Sequence, residues 1–271
     1  MEQKLSDRDR FLSLISRGPV PHIWETTKKN LKSLGFDIDQ SSFYQTNSHG
    51  LRSEEFTKNH DGKHLLFAGC SNTFGLGNFI EDVWAYRLYS EISKTEKVSG
   101  YFNVGSPGAT ISEILYQIFM YCNHYGYPNF VFINFPDYYR EYLAILNIYD
   151  SKELPPTQSL NKVMIARNIS AQYMSLLENL KANGAKVIAY TWDTVTKFGN
   201  NEIDVRNYFP NISFINNNDL AKHCLAYQDR FSDSKLKDYF VVGLDEDHPG
   251  IAVHDFWYLS MYNRYQEIKN D

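Results

Sequence analysis

Cysteine is scarce in this chain. Cys70, Cys122 and Cys224 are the only three among 271 residues. Odd in number and widely spaced, they build neither a disulfide framework nor a CxxC metal knuckle, and a reducing compartment is the default reading. Also missing is any apolar run near the roughly 20 residues a membrane-spanning helix needs. There is no basic run: 27 Lys and Arg stand against 32 Asp and Glu, a formal net charge of -5. That balance leaves no electrostatic footprint for nucleic acid or an anionic membrane. The opening stretch MEQKLSDRDRFLSLISRG is polar and lacks the apolar core and small-residue cleavage site of a signal peptide. A cytoplasmic location is therefore expected by default. No internal repeat and no low-complexity segment is found.

What is present is a chain 43% hydrophobic and 22% charged. That suits one large globular domain, or one domain with an extension. Residues 1–60 read as an irregular, partly helical N-terminal extension. Phe11, Leu12, Leu14 and Ile15 are spaced as on a helix that stops at Gly18-Pro19, and a second helix over 24–34 ends at Gly35. Its role stays open between lid, dimer arm and packing. From residue 61 to 271 strands and helices alternate. Strands are predicted over 64–68, 101–104, 129–135 and 186–192, with a fifth at Phe214-Ile215 or over 239–242. Helices are predicted over 82–92, from the Thr110/Glu113 capping box onward, around Ile169–Leu180 up to Asn183-Gly184, and from about 251 to 269. Pro155-Pro156 marks a looser region. Strands separated by helices imply right-handed crossovers and a mostly parallel sheet covered on both faces, with ligands at the C-terminal strand ends.

Three loops at such ends carry chemistry-bearing residues. The first is Gly69-Cys70-Ser71-Asn72-Thr73-Phe74-Gly75-Leu76-Gly77. A serine on a glycine-flanked strand-to-helix turn is exposed for attack, and the backbone N–H groups there suit a developing oxyanion. A phosphate-cradling loop is the alternative, but the GK[ST] ending of a P-loop is missing. The second is Asn103-Val-Gly105-Ser-Pro-Gly108-Ala-Thr110, where Gly108 offers a bare N–H or an ordinary turn. The third is Asp245-Glu-Asp-His248-Pro-Gly250. Asp-x-x-His lets one short loop supply an imidazole and the carboxylate that accepts its Nδ1–H, leaving Nε2 as the base. Competing readings are a solvated acidic turn and a metal site of Asp245, Asp247, His248 and His254. His254 and Trp257 lie inside the last predicted helix and read as structural.

Gly-x-Ser early, Asn-x-Gly-x-x-Gly next and Asp-x-x-His last resemble the SGNH/GDSL hydrolase family over roughly residues 63–260. The resemblance implies a flavodoxin-like α/β three-layer α/β/α sandwich, the SGNH hydrolase fold. It implies Ser71 as nucleophile, His248 as base and Asp245 as its partner, with an oxyanion hole from Ser71, Gly108 and Asn134. The expected activity is an esterase cleaving an acyl ester, such as an O-acetyl group on a carbohydrate. The expected partner is a small-molecule or glycan ester, with no cofactor and no metal. Asn72, Asp137, Tyr138 and Arg140 are the candidate substrate-binding residues. Phe135, Tyr138, Tyr139 and Trp192 suit sugar stacking, and Arg140 fits either an acidic substrate or a surface salt bridge. The segment Asn47-x-x-Gly50-Leu-Arg52 resembles one that precedes the nucleophile in some branches of the family.

Two departures stand out. Cys70 replaces the usual aspartate beside the serine, which leaves the thiol as a competing nucleophile. The Gly-x-Asn-Asp block has become Asn134-Phe-Pro136-Asp137, so a proline without an N–H stands where the oxyanion asparagine belongs. Losing one such donor costs about 2.7–4 kcal/mol in the transition state. Two other readings therefore stay open: a catalytically degenerate module that binds glycans or serves in assembly, and an O-acyltransferase using the same triad.

Overall fold

The computed structural model describes residues 21–136, 140, 159–191, 195–198, 201–204, 212–214 and 217–270. The expectations for Phe11, Leu12, Leu14, Ile15, Gly18-Pro19, Pro155-Pro156, Asp137, Tyr138, Tyr139 and Trp192 lie outside the described residues.

A five-stranded parallel sheet forms the frame. Its strands are β1 (Leu65–Gly69), β2 (Phe102–Asn103), β3 (Phe130–Phe135), β4 (Lys186–Thr191) and, counting past an antiparallel pair, β7 (Ile212–Phe214). They are ordered β2-β1-β3-β4-β7. The pair is β5 (Val195–Phe198) with β6 (Asn201–Asp204), separate from the main sheet. Strands β1 and β3 are apolar along nearly their whole length because both faces of the sheet are covered; every residue of each is buried.

Alternation along the strands sends side chains to two cores. Leu66, Ala68, Val131 and Ile133 pack against Ile114, Leu115 and Ile118 of α5 (Ile111–Tyr125) and Tyr173 and Leu177 of α6 (Ser159–Ala182). Leu65, Phe67, Phe130 and Phe132 pack against Trp84 and Leu88 of α4 (Trp84–Ser93) and Trp257, Met261 and Tyr265 of α8 (Ile251–Ile268). Cys224 of α7 (Asn217–Arg230) joins this second core. The result is the three-layer α/β/α sandwich that the alternation of strands and helices predicts.

Helix starts and stops follow local chemistry. Thr110 Oγ1 accepts from Glu113 N–H at 3.3 Å while Glu113 Oε2 accepts from Thr110 N–H at 2.8 Å, the reciprocal box that opens α5. The first strand of the fold runs straight into a single helical turn, α3 (Ser71–Phe74). Between it and α4 lies one 3-10 turn, Ile80–Asp82. Upstream, α1 (Pro21–Ser33) and α2 (Gln40–Phe43) place Ile23, Trp24, Leu31, Phe43 and Tyr44 in a third apolar cluster with Phe74, Leu76 and Leu244. That cluster joins the upstream segment to both the serine loop and the histidine loop.

The fifth strand of the sheet is at Ile212–Phe214; the alternative over 239–242 ends a 3-10 turn, Lys237–Tyr239, and makes one isolated bridge between Val242 and Pro249. β1 is flanked by β2 on one side and β3 on the other. Such a reversal of strand order opens a crevice at the C-terminal strand ends. Gly69 and Asn134 are register partners there.

Candidate active site

Ser71 is the first residue of α3, two residues beyond the end of β1, and is 3% exposed. The turn must be sharp and close: a methyl group at Gly69 would collide with the Thr73 side chain and lie 2.7 Å from the Asn134 carbonyl. One turn later Gly75 takes a left-handed conformation, φ +84°, and its N–H caps the Ser71 carbonyl at 2.8 Å. Among the described residues, the Ser71 hydroxyl makes one polar contact, a weak one to Cys70 Sγ at 3.9 Å. Cys70 itself is turned into the α5 side core and is 1% exposed.

The expected acid and base, Asp245 and His248, sit on one short loop before α8. His248 Nδ1 lies 2.7 Å from Asp245 Oδ2. Asp245 Oδ1 accepts from the backbone N–H groups of Asp247 at 3.2 Å and His248 at 3.0 Å. Burial raises the Asp245 pKa, but the hydrogen bonds and charge of His248 and these N–H groups outweigh it, so the carboxyl ends below its ordinary value. Its side chain is fully buried while the imidazole stays 15% exposed. A carboxylate fixing Nδ1 in this way leaves Nε2 as the proton acceptor. Glu246 between them is left-handed at φ +61°, alone in this among the described non-glycine residues. That strain is held by Asn30, whose Nδ2 donates to Leu244 O and Glu246 Oε1, both at 2.9 Å.

The loop carrying His248 is seated on the loop carrying Ser71. Leu244 N–H donates to Gly77 O at 2.8 Å, and Asn78 Nδ2 donates to Pro249 O at 2.9 Å. Gly77 is left-handed, φ +71°, and a Cβ added there would be 2.5 Å from Asp245 Oδ1. Only a residue with no side chain lets the carboxylate rest against the Ser71 loop.

Of the expected oxyanion groups, the N–H of Ser71 and of Gly108, itself left-handed at φ +74°, donate to no acceptor among the described residues. Asn134 is 2% exposed, and neither its Nδ2 nor its Oδ1 has a partner among the described residues. By strand alternation it lies on the face of Phe130 and Phe132, whereas Gly108 leads into α5 on the other. Asn103 is structural: its Nδ2 donates to Thr73 O and its Oδ1 accepts from Gly105 N–H.

Asn72 is 5% exposed and Phe135 lies in the core against Tyr173. Arg140 is half-buried and forms no ion pair among the described residues; its Nη1 is buried without a partner. His254, the fourth member of the conceivable metal set, is committed elsewhere. Its Nδ1 accepts from Trp84 N–H at 3.2 Å and its Nε2 faces Asn78 Nδ2 at 3.4 Å. Among the described residues no three His, Cys, Asp or Glu side chains gather as a metal-binding group, and no helix is long and apolar enough to cross a membrane.

No protein-family model matches the chain, and no curated protein matches it. Solved structures are similar in fold. A crystal structure of TesA is 14% identical, with a TM-score of 0.43 over 75% of this chain and 98% of that one. The psychrotrophic esterase EstA from Pseudoalteromonas sp., inhibited by monoethylphosphonate, is 14% identical at a TM-score of 0.42, covering 76% and 98%. A member of the lipolytic protein G-D-S-L family from Veillonella parvula is 14% identical at 0.38, covering 76% and 97%. The functional reading therefore rests on this chain's own residues.

Sequence reasoning missed Asn30 and Tyr44 beside the site and singled out Arg52 without a role. Tyr44 Oη accepts from Gly77 N–H at 2.9 Å. The one signal available was the Asn47-x-x-Gly50-Leu-Arg52 pattern, and the carbonyls that Arg52 meets lie 9 residues upstream and 22 to 26 residues downstream.

Proposed function

We propose that the chain is a serine hydrolase that cleaves acyl esters. Ser71 Oγ attacks the ester carbonyl, His248 Nε2 takes its proton, and Asp245 holds the imidazolium that forms. The tetrahedral oxyanion is met by the N–H groups of Ser71 and Gly108, with Asn134 as the candidate third donor. Collapse expels the alcohol, protonated by His248, and leaves an acyl-serine. Water, deprotonated by His248, then releases the acid.

The observation that carries this reading is the 2.7 Å His248–Asp245 pair resting, through Gly77, on the loop that bears Ser71. The buried amide of Asn134, without a partner among the described residues, adds to it, since a buried polar group left unpaired costs about 1–3 kcal/mol. Ser71 makes no hydrogen bond to His248 among the described residues, and such bonds commonly tighten only in the substrate complex. We further propose an O-acetylated carbohydrate as substrate, with Asn72 and Arg140 as candidate contacts. The Arg140 guanidinium, which forms no ion pair among the described residues, suits an acidic group on that sugar.

A second reading is favoured by Pro136, which offers no donor: a binding module with an idle triad. Hydrolysis of p-nitrophenyl acetate, p-nitrophenyl butyrate and acetylated glycans by wild type and Ser71→Ala separates the two. The hydrolase reading expects turnover that Ser71→Ala abolishes with its circular dichroism unchanged. Wild type no faster than Ser71→Ala on every substrate would leave the binding module.

A further inference from the structure

The motif Asn47-x-x-Gly50-Leu-Arg52 has no part in the chemistry just described, yet it ends in a buried cation. Arg52 is 3% exposed and has no carboxylate within ion-pair distance among the described residues. Four backbone carbonyls take its donors instead. Nη1 donates to Gly75 O at 2.8 Å, to Asn78 O at 3.1 Å and weakly to Phe74 O at 3.5 Å, and Nη2 donates to Phe43 O at 2.8 Å. The rings of Tyr44 and Phe43 lie 5.1 and 5.7 Å from the guanidinium carbon.

The motif is built to deliver that side chain. Asn47 Oδ1 accepts from the N–H groups of His49 and Leu51, a local turn that closes at Gly50 with φ +75°. Leu51 is then buried in the core, and Arg52 follows it inward. Burying a guanidinium without a counter-charge is costly, and burial pushes its pKa down to about 10. Packing alone would be met more cheaply by an apolar residue.

What the cation holds is the strip of chain between the nucleophile and the triad acid. Its carbonyls at 74 and 75 close the helical turn that Ser71 opens, where a cation opposes the partial negative charge. Gly77, between the bonded carbonyls of Gly75 and Asn78, is the seat of Asp245. Asn78 reaches from the same strip to Pro249 O, beside His248.

We infer that Arg52, assisted by Tyr44 at the Gly77 N–H, is the positioning residue that holds the Ser71 turn and the Asp245–His248 loop in working register. The inference rests on the serine-hydrolase reading above. Lysine does not replace it: one ammonium lacks the planar fork that spans carbonyls on two sides.

The test uses the full chain, with Arg52→Met, Arg52→Lys and Tyr44→Phe, all measured at a temperature well below every variant's melting point. Two quantities are read: the rate of Ser71 labelling by a fluorophosphonate probe, and kcat and KM for p-nitrophenyl acetate. Arg52→Lys is expected to slow labelling and kcat at least tenfold with KM within twofold and an unchanged dichroism spectrum. Tyr44→Phe is expected to slow both several-fold, and it carries the test if the Arg52 variants do not fold. Variants that melt earlier but label and turn over at the wild-type rate would overturn the inference and leave Arg52 as a stabilising residue. If wild type itself neither labels nor turns over, the serine-hydrolase reading fails first and the inference falls with it.

Discussion

Two glycines with similar φ provide a contrast. Gly35 (φ +83°) and Gly77 (φ +71°) are both left-handed, but a Cβ at Gly35 meets nothing within 4 Å. A Cβ at Gly77 meets Asp245 Oδ1 at 2.5 Å and its Cγ at 2.6 Å. Gly35→Ala therefore costs the conformational term alone, about 1–2 kcal/mol for an L-residue in that region. Gly77→Ala costs the same plus an overpacking term of about 1–3 kcal/mol. To reach ordinary contact the carboxylate must retreat by about 0.9 Å, and His248 is tied to it. Misplacing a catalytic group by ~1 Å costs about 10²-fold in rate. The expectation is a kcat for p-nitrophenyl butyrate down about 100-fold in Gly77→Ala and unchanged in Gly35→Ala. Urea titrations should show the first variant losing more stability than the second. If Gly77→Ala keeps kcat within threefold, or Gly35→Ala loses as much, the carboxylate seat is not what orients His248.

Other expectations concern protons and the neighbouring thiol. Burial holds His64 and His254 down to about 3, with the imidazole of His60 adding to the effect at His64 and the charge of Arg87 at His254. Both stay neutral in the fold and titrate near 6.5 when unfolded, so this stability is complete above about pH 7 and is lost as pH falls toward 3. His64→Gln should reduce the slope of unfolding free energy against pH by about 1.4 kcal/mol per unit between pH 6 and 4; an unchanged slope refutes the assignment. Asp82 runs the other way, raised to about 6 by burial and only partly offset by Arg87. The cost of its raised pKa builds between about pH 4 and 6 and is complete above, so Asp82→Asn should gain about 1–2 kcal/mol at pH 8, a gain that vanishes by pH 4. Equal urea midpoints at pH 8 would contradict it. Cys70→Ser should retain activity within a few-fold, because the thiol is buried in the core; abolished turnover would make Cys70 the nucleophile.

The parts of the fold that sequence conveyed are those where one local pattern decides. The run HLLFA before Gly69 and the run NFVFINF are apolar throughout because both faces of the sheet are covered. Thr110 with Glu113 marks a helix start by its own hydrogen bonds. Elements set by distant partners were not legible. The single turn Ser71–Phe74 is too short for a period, and it is held from outside by Arg52 and Asn103. The pairing of β5 with β6 and the helix Asn217–Arg230 went unread, although Leu220, Cys224 and Tyr227 are spaced along one helical face. The same division applies to the site. Asp245 and His248 are three residues apart, so their bond is local. Asn30 meets Leu244 across 214 residues, and no spacing reveals that.

The central claim is that Ser71 is a nucleophile driven by His248. Incubating wild type, Ser71→Ala and His248→Ala with a fluorophosphonate and mapping the adduct by peptide mass spectrometry tests it most directly. The account predicts one adduct per chain, on Ser71, absent from Ser71→Ala and formed at least 100-fold more slowly in His248→Ala. An adduct on another residue, or labelling of Ser71 at the same rate without His248, would contradict it.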